Sequence, residues 1–319
     1  MLNVCDFAYR NPHGTDMTSA NDWTPAFRAA RDALGMVGAD RAGKVYIPAG
    51  LYTIDPQDLE DNAALLLTRK PYGQGGDIEV LWDGDGAGGT ILHCPRTDID
   101  IIAIAGTTDF VRRCSFQNLM LNGGRYGIRA QDWGYGHVMN VTFANQNEYA
   151  IYGGGGIQNI DFNHLILHHT TGIYLQDVTV STVRGCSFGE DIQATNGLTI
   201  RGGLSVIIAN NFFSSLRGRI GPDRANAGIE ILGGTLAPGM DYKPASHIQV
   251  VDNNFDAINE YAVLLRGDVR FVRVVGNMFA SMNLERPGEP PVRDYSDHRD
   301  TNDISGNMDT GNTGGLYYP

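Results

Sequence analysis

Seven segments of this 319-residue chain repeat one pattern, a β-favouring run closed by phenylalanine: RRCSF (Phe116), MNVTF (Phe143), QNIDF (Phe162), VRGCSF (Phe188), IANNFF (Phe213), VVDNNF (Phe255) and VVGNMF (Phe279). Five of the six intervals fall between 19 and 27 residues, and the sixth, Phe213 to Phe255, is 42. A unit of that length cannot bury its apolar face alone, so successive units must stack as turns of a solenoid. Two residues before each phenylalanine stands a second column: Cys114, Val141, Ile160, Cys186, Asn211, Asn253 and Asn277. Period-two alternation puts both columns on one strand face. The expectation is a single inward aromatic ladder beside an inward amide ladder of Asn211, Asn253 and Asn277. A buried amide is costly unless paired, and stacked strands about 4.8 Å apart let the amides pair.

A third column follows each phenylalanine: Gly127-Ile128, Ala150-Ile151, Gly172-Ile173, Gly197-Leu198, Gly228-Ile229 and Ala262-Val263. Alternation resumes after it, so each turn holds a strand ending at phenylalanine, a connector, and a second strand starting at the small residue. The pentapeptides NEYAI (Asn147–Ile151) and NEYAV (Asn259–Val263) are then one connector met twice. Tyr149 and Tyr261 become corner packing residues, and Glu148 and Glu260 structural ones. Glycine fits this picture, since 41 residues are about twice average usage and serve many tight turns.

The long interval holds an insertion, Leu232–Ser246, and a second irregular stretch, Ser215–Ala227. Ahead of the coil, Pro25 to Leu34 reads as one amphipathic helix with Thr24 as N-cap and Phe27, Ala30 and Leu34 on its apolar face. It would close the open end of the solenoid core. The segment 280–319 is rich in Pro, Gly, Asp and Asn and reads as an irregular tail packed on the coil or on a neighbouring chain. The domain expectation is 1–279 for the coil with its cap and 280–319 for the tail. The fold class is all-β, a single-stranded parallel coil with an N-terminal capping helix.

Net charge −12 argues against a nucleic-acid or anionic-membrane partner. No run reaches the roughly 18 apolar residues of a membrane span, and MLNVCDFAYRNPHG lacks the regions of a secretory signal. The four cysteines form neither a CxxC pair nor a zinc pattern. Cys114 and Cys186, three turns apart in the Phe register, should remain thiols.

HGTD, then NDWTPAFRAARDAL, then GKVYIPAGLYTI, with Val45, Tyr46, Pro48, Gly50 and Tyr52 in the last, resembles the N-terminal signature of the pectate-lyase-like superfamily. WDGDGAGGTIL at Trp82–Leu92 resembles its first full turn. The resemblance reaches Phe279 and implies a right-handed parallel β-helix. Its relatives include rhamnogalacturonan- and polygalacturonan-cleaving hydrolases, polysaccharide lyases, alginate epimerases and phage tailspike depolymerases. The Asp-Asp and Gly-His-Gly motifs of polygalacturonases and the Asp-Pro-His motif of the epimerases are absent. The resemblance implies a polysaccharide partner, a homotrimer of the tailspike kind, and an extracellular or virion-associated place.

Such coils hold polymers along their stacked strands. The outward residue after each third-column apolar residue reads Arg129, Tyr152, Tyr174, Thr199, Glu230 and Leu264. Two further on stand Gln131, Gln176 and Arg201. Tyr152 and Tyr174 are expected to stack on sugar rings, and Arg129 and Arg201 to bind acidic sugars. Glycoside hydrolysis needs two carboxyls about 5–10 Å apart, and the candidates are Glu230, Asp177, Glu190 and Asp191. Lyase chemistry instead points to His168 and His169 with Tyr174 and Arg201. RDYSDHRDTND lacks calcium-loop spacing, and no cofactor is expected. The leading expectation is a glycoside hydrolase or depolymerase. A lyase acting on a uronate-containing polymer and a non-catalytic binding or adhesin module are the alternatives.

Overall fold

The structure, a computed structural model, describes residues 1–36, 43–68, 80–105, 110–189, 196–216, 226–234, 243–282 and 289–310. Among them every pairing between strands is parallel, and the strands stack into one coil. The turn that follows Asn159 shows the plan. Face one is Asp161–Asn163, face two Ile166–His168 and face three Thr171–Thr179. Left-handed residues bend the chain between and within faces: Asn159 (φ 54°), His164 (φ 52°), His169 (φ 49°) and Asp177 (φ 51°). Asparagine, aspartate and glycine tolerate that conformation best, which is why Asn118, Asn140, Asn210, Asp252 and Gly276 recur at the corner between faces one and two, the one His164 occupies.

The inward aromatic residues divide between two columns where one was expected. Face one stacks Trp82, Phe116, Val138, Phe162 and Val183. Face two stacks Leu121, Phe143, Leu167, Phe188, Phe213, Phe255 and Phe279. Phe116 and Phe162 therefore belong to face one, and the short 19-residue interval between Phe143 and Phe162 is a step from one face to the other. The unbroken aromatic stack is Phe188, Phe213 and Phe255, with ring centroids 4.5 and 4.9 Å apart. Cys114 and Ile160 likewise leave the asparagine column, while Asn211, Asn253 and Asn277 stack inward as expected and continue to Asn307. Cys114 and Cys186 are buried free thiols.

The small third-column residues have a packing cause. A Cβ on Gly127, Gly197 or Gly228 would come within 2.6–2.7 Å of Phe143, Phe213 or Phe255. The strand entering face three thus passes directly over the face-two ring, and a side chain there would push the two faces apart.

The helix spans Thr24–Met36, and its caps differ from expectation. Asp22 accepts the Thr24 amide (2.9 Å) and hydroxyl (2.6 Å), and Asn11 accepts the Ala26 amide (3.1 Å). Trp23, Ala26, Phe27 and Ala30 are buried, with Phe27 stacked on Trp82 at 6.2 Å. The other end departs from an irregular tail. Val292–Ser296, Asp303–Ser305 and Met308–Asp309 extend faces three, one and two beyond Phe279. Buried Asp294, accepting Ser296 N–H and Asn302 Nδ2 at 2.8 and 2.9 Å, turns the chain there. Residues 311–319 lie outside the described residues.

Candidate active site

The outer surface of face three carries the expected stripe. Arg129, Tyr152, Tyr174, Thr199, Glu230 and Leu264 are in register across six consecutive turns. Their use differs from expectation. Tyr126, Tyr152 and Tyr174 stack on one another at 5.0 and 4.9 Å, each pair 11° from parallel. The guanidinium of Arg125 covers Tyr126 (4.6 Å) and that of Arg201 covers Tyr174 (5.3 Å). Strand spacing is close to ring-stacking distance, so side chains in register stack along the coil. The ring faces are consumed within this column, and only ring edges and hydroxyls meet the outside. Burial, then the hydrogen bond to Glu148, raises the Tyr126 hydroxyl above its ordinary range.

Arg129 and Arg125 share one carboxylate. Asp100, fully buried, accepts Arg125 Nε (2.9 Å) and Nη2 (3.0 Å) and Arg129 Nε (2.6 Å). Arg129 also binds Asp61 at 2.8 Å. Its charge is thereby held against the N-terminal end of the stripe.

Glu230 sits two turns past Tyr174 in the same column. It points away from the core yet is only 6% exposed. Asn196 Nδ2 donates to its Oε2 (2.8 Å) and to Thr199 Oγ1 (3.1 Å), while the Asn196 Oδ1 accepts the Ala227 amide (3.0 Å). Arg266 Nη1 lies 3.4 Å from Oε1. Burial raises the Glu230 carboxyl above the ordinary range, and the nearby Arg266 and Arg201 restrain but do not reverse the rise. The result is a desolvated carboxyl that takes up a proton more readily than a surface glutamate. Next to it, Ala227, Tyr261 and Leu264 make a small apolar cluster separate from the coil's core.

The remaining candidates lie elsewhere. Asp177 occupies a left-handed corner and binds Lys243, at the end of the insertion, at 3.2 Å. It is two turns and three residues from Glu230, roughly 14 Å in strand geometry, too far to share one scissile bond with it. His168 ends a face-two strand and His169 is the exposed corner after it, on the approach to face three. Glu190 and Asp191 lie outside the described residues, as do 217–225 and 235–242 of the two irregular stretches. Glu260 is buried and accepts the Asn226 amide at 2.8 Å. Among the described residues no three His, Cys, Asp or Glu side chains converge as for a metal ion.

Sequence reasoning missed Asn196, Arg266, Tyr126 and Asp100. Arg266 stands two residues after Leu264, the same offset as Gln176 and Arg201, so its place was legible. Asn196 and Tyr126 stand two residues before inward Leu198 and Ile128. Alternation alone turns them inward, and the kink at the small residue brings them outside.

Comparison with curated proteins gave no match. Among solved structures, a mutant tailspike protein of E. coli bacteriophage HK620 in complex with a pentasaccharide superposes with a TM-score of 0.70 at 14% identity, over 98% of this chain and 57% of that one. ORF18 of Geobacillus virus E2 does so with 0.58 at 12%, over 93% and 60%. The chain thus spans less than two thirds of either. At these identities the likeness is one of fold. No helix among the described residues is long and apolar enough to cross a membrane. The family model described as a right handed beta helix region matches residues 100–283, more than half of the chain, and the stacked parallel coil, with its inward ladders and left-handed corners, belongs to the right-handed β-helix family.

Proposed function

We propose that this protein binds a polysaccharide along the outer surface of face three and cleaves a glycosidic bond there, with Glu230 as proton donor. The observation that supports this most is the environment of Glu230, an outward carboxyl buried among polar partners with a raised pKa. A general acid must hold its proton at the working pH, and desolvation shifts the Glu230 carboxyl in that direction. Arg201 and Arg266 flank the carboxyl and would hold acidic or hydroxyl groups of the sugar. The edges and hydroxyls of the tyrosine column continue the binding surface over the preceding turns. The pentasaccharide carried by the HK620 tailspike suits this reading, and a virion-associated place goes with it.

A panel of bacterial, plant and algal polysaccharides tests it. Hydrolysis gives new reducing ends without unsaturated products, and unsaturated ends would instead establish elimination. Glu230→Gln should retain sugar binding while turnover falls about 100-fold or more. One observation favours a second reading, a binding module without catalysis. Asp177, the other described carboxylate proposed for the chemistry, is tied to Lys243 away from Glu230. Binding with no chain shortening by the wild-type protein would select that reading.

A further inference from the structure

Between residues 110 and 310, eleven large apolar side chains are exposed among the described residues, and nine lie on faces one and two or at the corner leading into face one, with Leu204 ending a face-three strand beside that corner. Away from that corner, the described surface of face three, which holds Glu230, has only Tyr295. We propose that the side formed by faces one and two is where this chain packs against a second copy of itself, coil beside coil.

Three features select another copy as the occupant. The first is periodicity. Consecutive turns of face two present Ile166, Ser187, Phe212, Asn254 and Met278 in register. Ile166, Phe212 and Met278 are 40, 40 and 39% exposed, so bulky and short residues alternate turn by turn. The repeat is two strand spacings, about 9.6 Å. A second coil has the same rise, and a shift of one turn seats its bulky residues opposite the short ones.

The second feature is charge. The protein carries −12, and identical copies should repel. Yet the outward charged side chains on these strands from Cys114 to Met308 are Asp161, Arg184, Arg273, Asp303 and Asp256. The first four pair, Asp161 with Arg184 at 2.9 Å and Arg273 with Asp303 at 3.6 Å. Asp256 and, at the corner between the two faces, exposed Asp252 remain, so most of the surplus negative charge sits elsewhere and two copies can meet here with limited like-charge cost. The third is extent. Faces one and two from the Ile166 turn to the Met308 turn offer roughly 24 Å by 30 Å, near the roughly 800 Å² per partner of a standard interface.

Light scattering and sedimentation across a concentration series test the proposal. The wild-type chain should exceed its monomer mass of 34.6 kDa. Ile166→Lys with Phe212→Lys should weaken association at least 100-fold, with the circular dichroism spectrum unchanged. Tyr295→Lys, on the opposite side, should leave the mass unchanged. Should the lysine pair prevent folding, Phe212→Ser serves, read together with concentration-dependent amide exchange at 207–214. A wild-type monomer at every concentration overturns the proposal, as does assembly of the folded lysine variant like wild type. Wild-type monomers that bind an oligosaccharide in the groove between Asn210, Phe212 and Asp252 would overturn it too, in favour of a second sugar site.

Discussion

Asn253 and Asn277 are joined twice. The Asn253 side-chain amide donates to Asn277 Oδ1 at 3.0 Å, and the Asn253 backbone N–H donates to the same oxygen at 2.9 Å. The second side-chain N–H of Asn253 reaches the Ile208 carbonyl at 3.0 Å, and its Oδ1 accepts both Asn211 donors. Every polar group of a buried side chain is matched. Asn253→Leu should therefore destabilise the coil by about 1–3 kcal/mol, read from denaturant unfolding. A variant as stable as wild type would show that the ladder is incidental to stability.

The raised pKa of Glu230 has a sign that melting can read. In the folded chain the carboxyl holds its proton to higher pH than in the unfolded chain, so the folded state binds more protons between the two values. Stability should fall as pH rises from the ordinary glutamate range to the raised folded value, then level off. Glu230→Gln should remove that part of the slope. In the proposed reaction, turnover falls over the same rise as the acid form is lost. A melting profile of the variant parallel to wild type across this window would contradict the assignment.

Tyr152 is the middle of the tyrosine column, with a ring 4.9–5.0 Å away on either side. Tyr152→Ala should cost about 1–3 kcal/mol, from two lost aromatic pairs plus apolar contact. Tyr152→Phe keeps the stack and should stay near wild type. Thermal melts of the pair separate stacking from any contribution of the hydroxyl.

Asp100→Asn leaves Arg125 and Arg129 without the carboxylate they share. Removing one partner from a buried ion pair costs more than the pair contributes, so a loss of at least about 2 kcal/mol is expected. Rearrangement of Arg125 over Tyr126 should also change near-ultraviolet circular dichroism. A silent substitution would mean that Asp61 alone suffices for Arg129.

Cys114 and Cys186 are buried, and burial pushes both thiols up to about 12. Thiolate is the reactive form, so neither should react with a disulfide reagent in the native protein, and both should react after unfolding. Fast native labelling at either position would show that the coil opens there.

The sequence by itself determined the coil. Phenylalanines two residues behind Asn211, Asn253 and Asn277 carry period-two alternation within a turn, and their recurrence carries the stacking between turns. Both are local enough to survive in one dimension. The same alternation placed Tyr152, Tyr174 and Glu230 on the outside. It did not tell Phe162 from Phe188, because faces one and two obey the same inward rule and the left-handed corner between them resets the phase. Tyr152 and Tyr174 were legible as outward but not as spent on each other, since ring stacking exists only once turns lie one strand spacing apart. Glu230 was legible as a carboxylate on the groove, but its burial and raised pKa depend on Asn196 from the previous turn and Arg266 from the next. Only the tertiary structure decided those, because burial and electrostatics arise between turns far apart in the chain, whereas alternation arises within one.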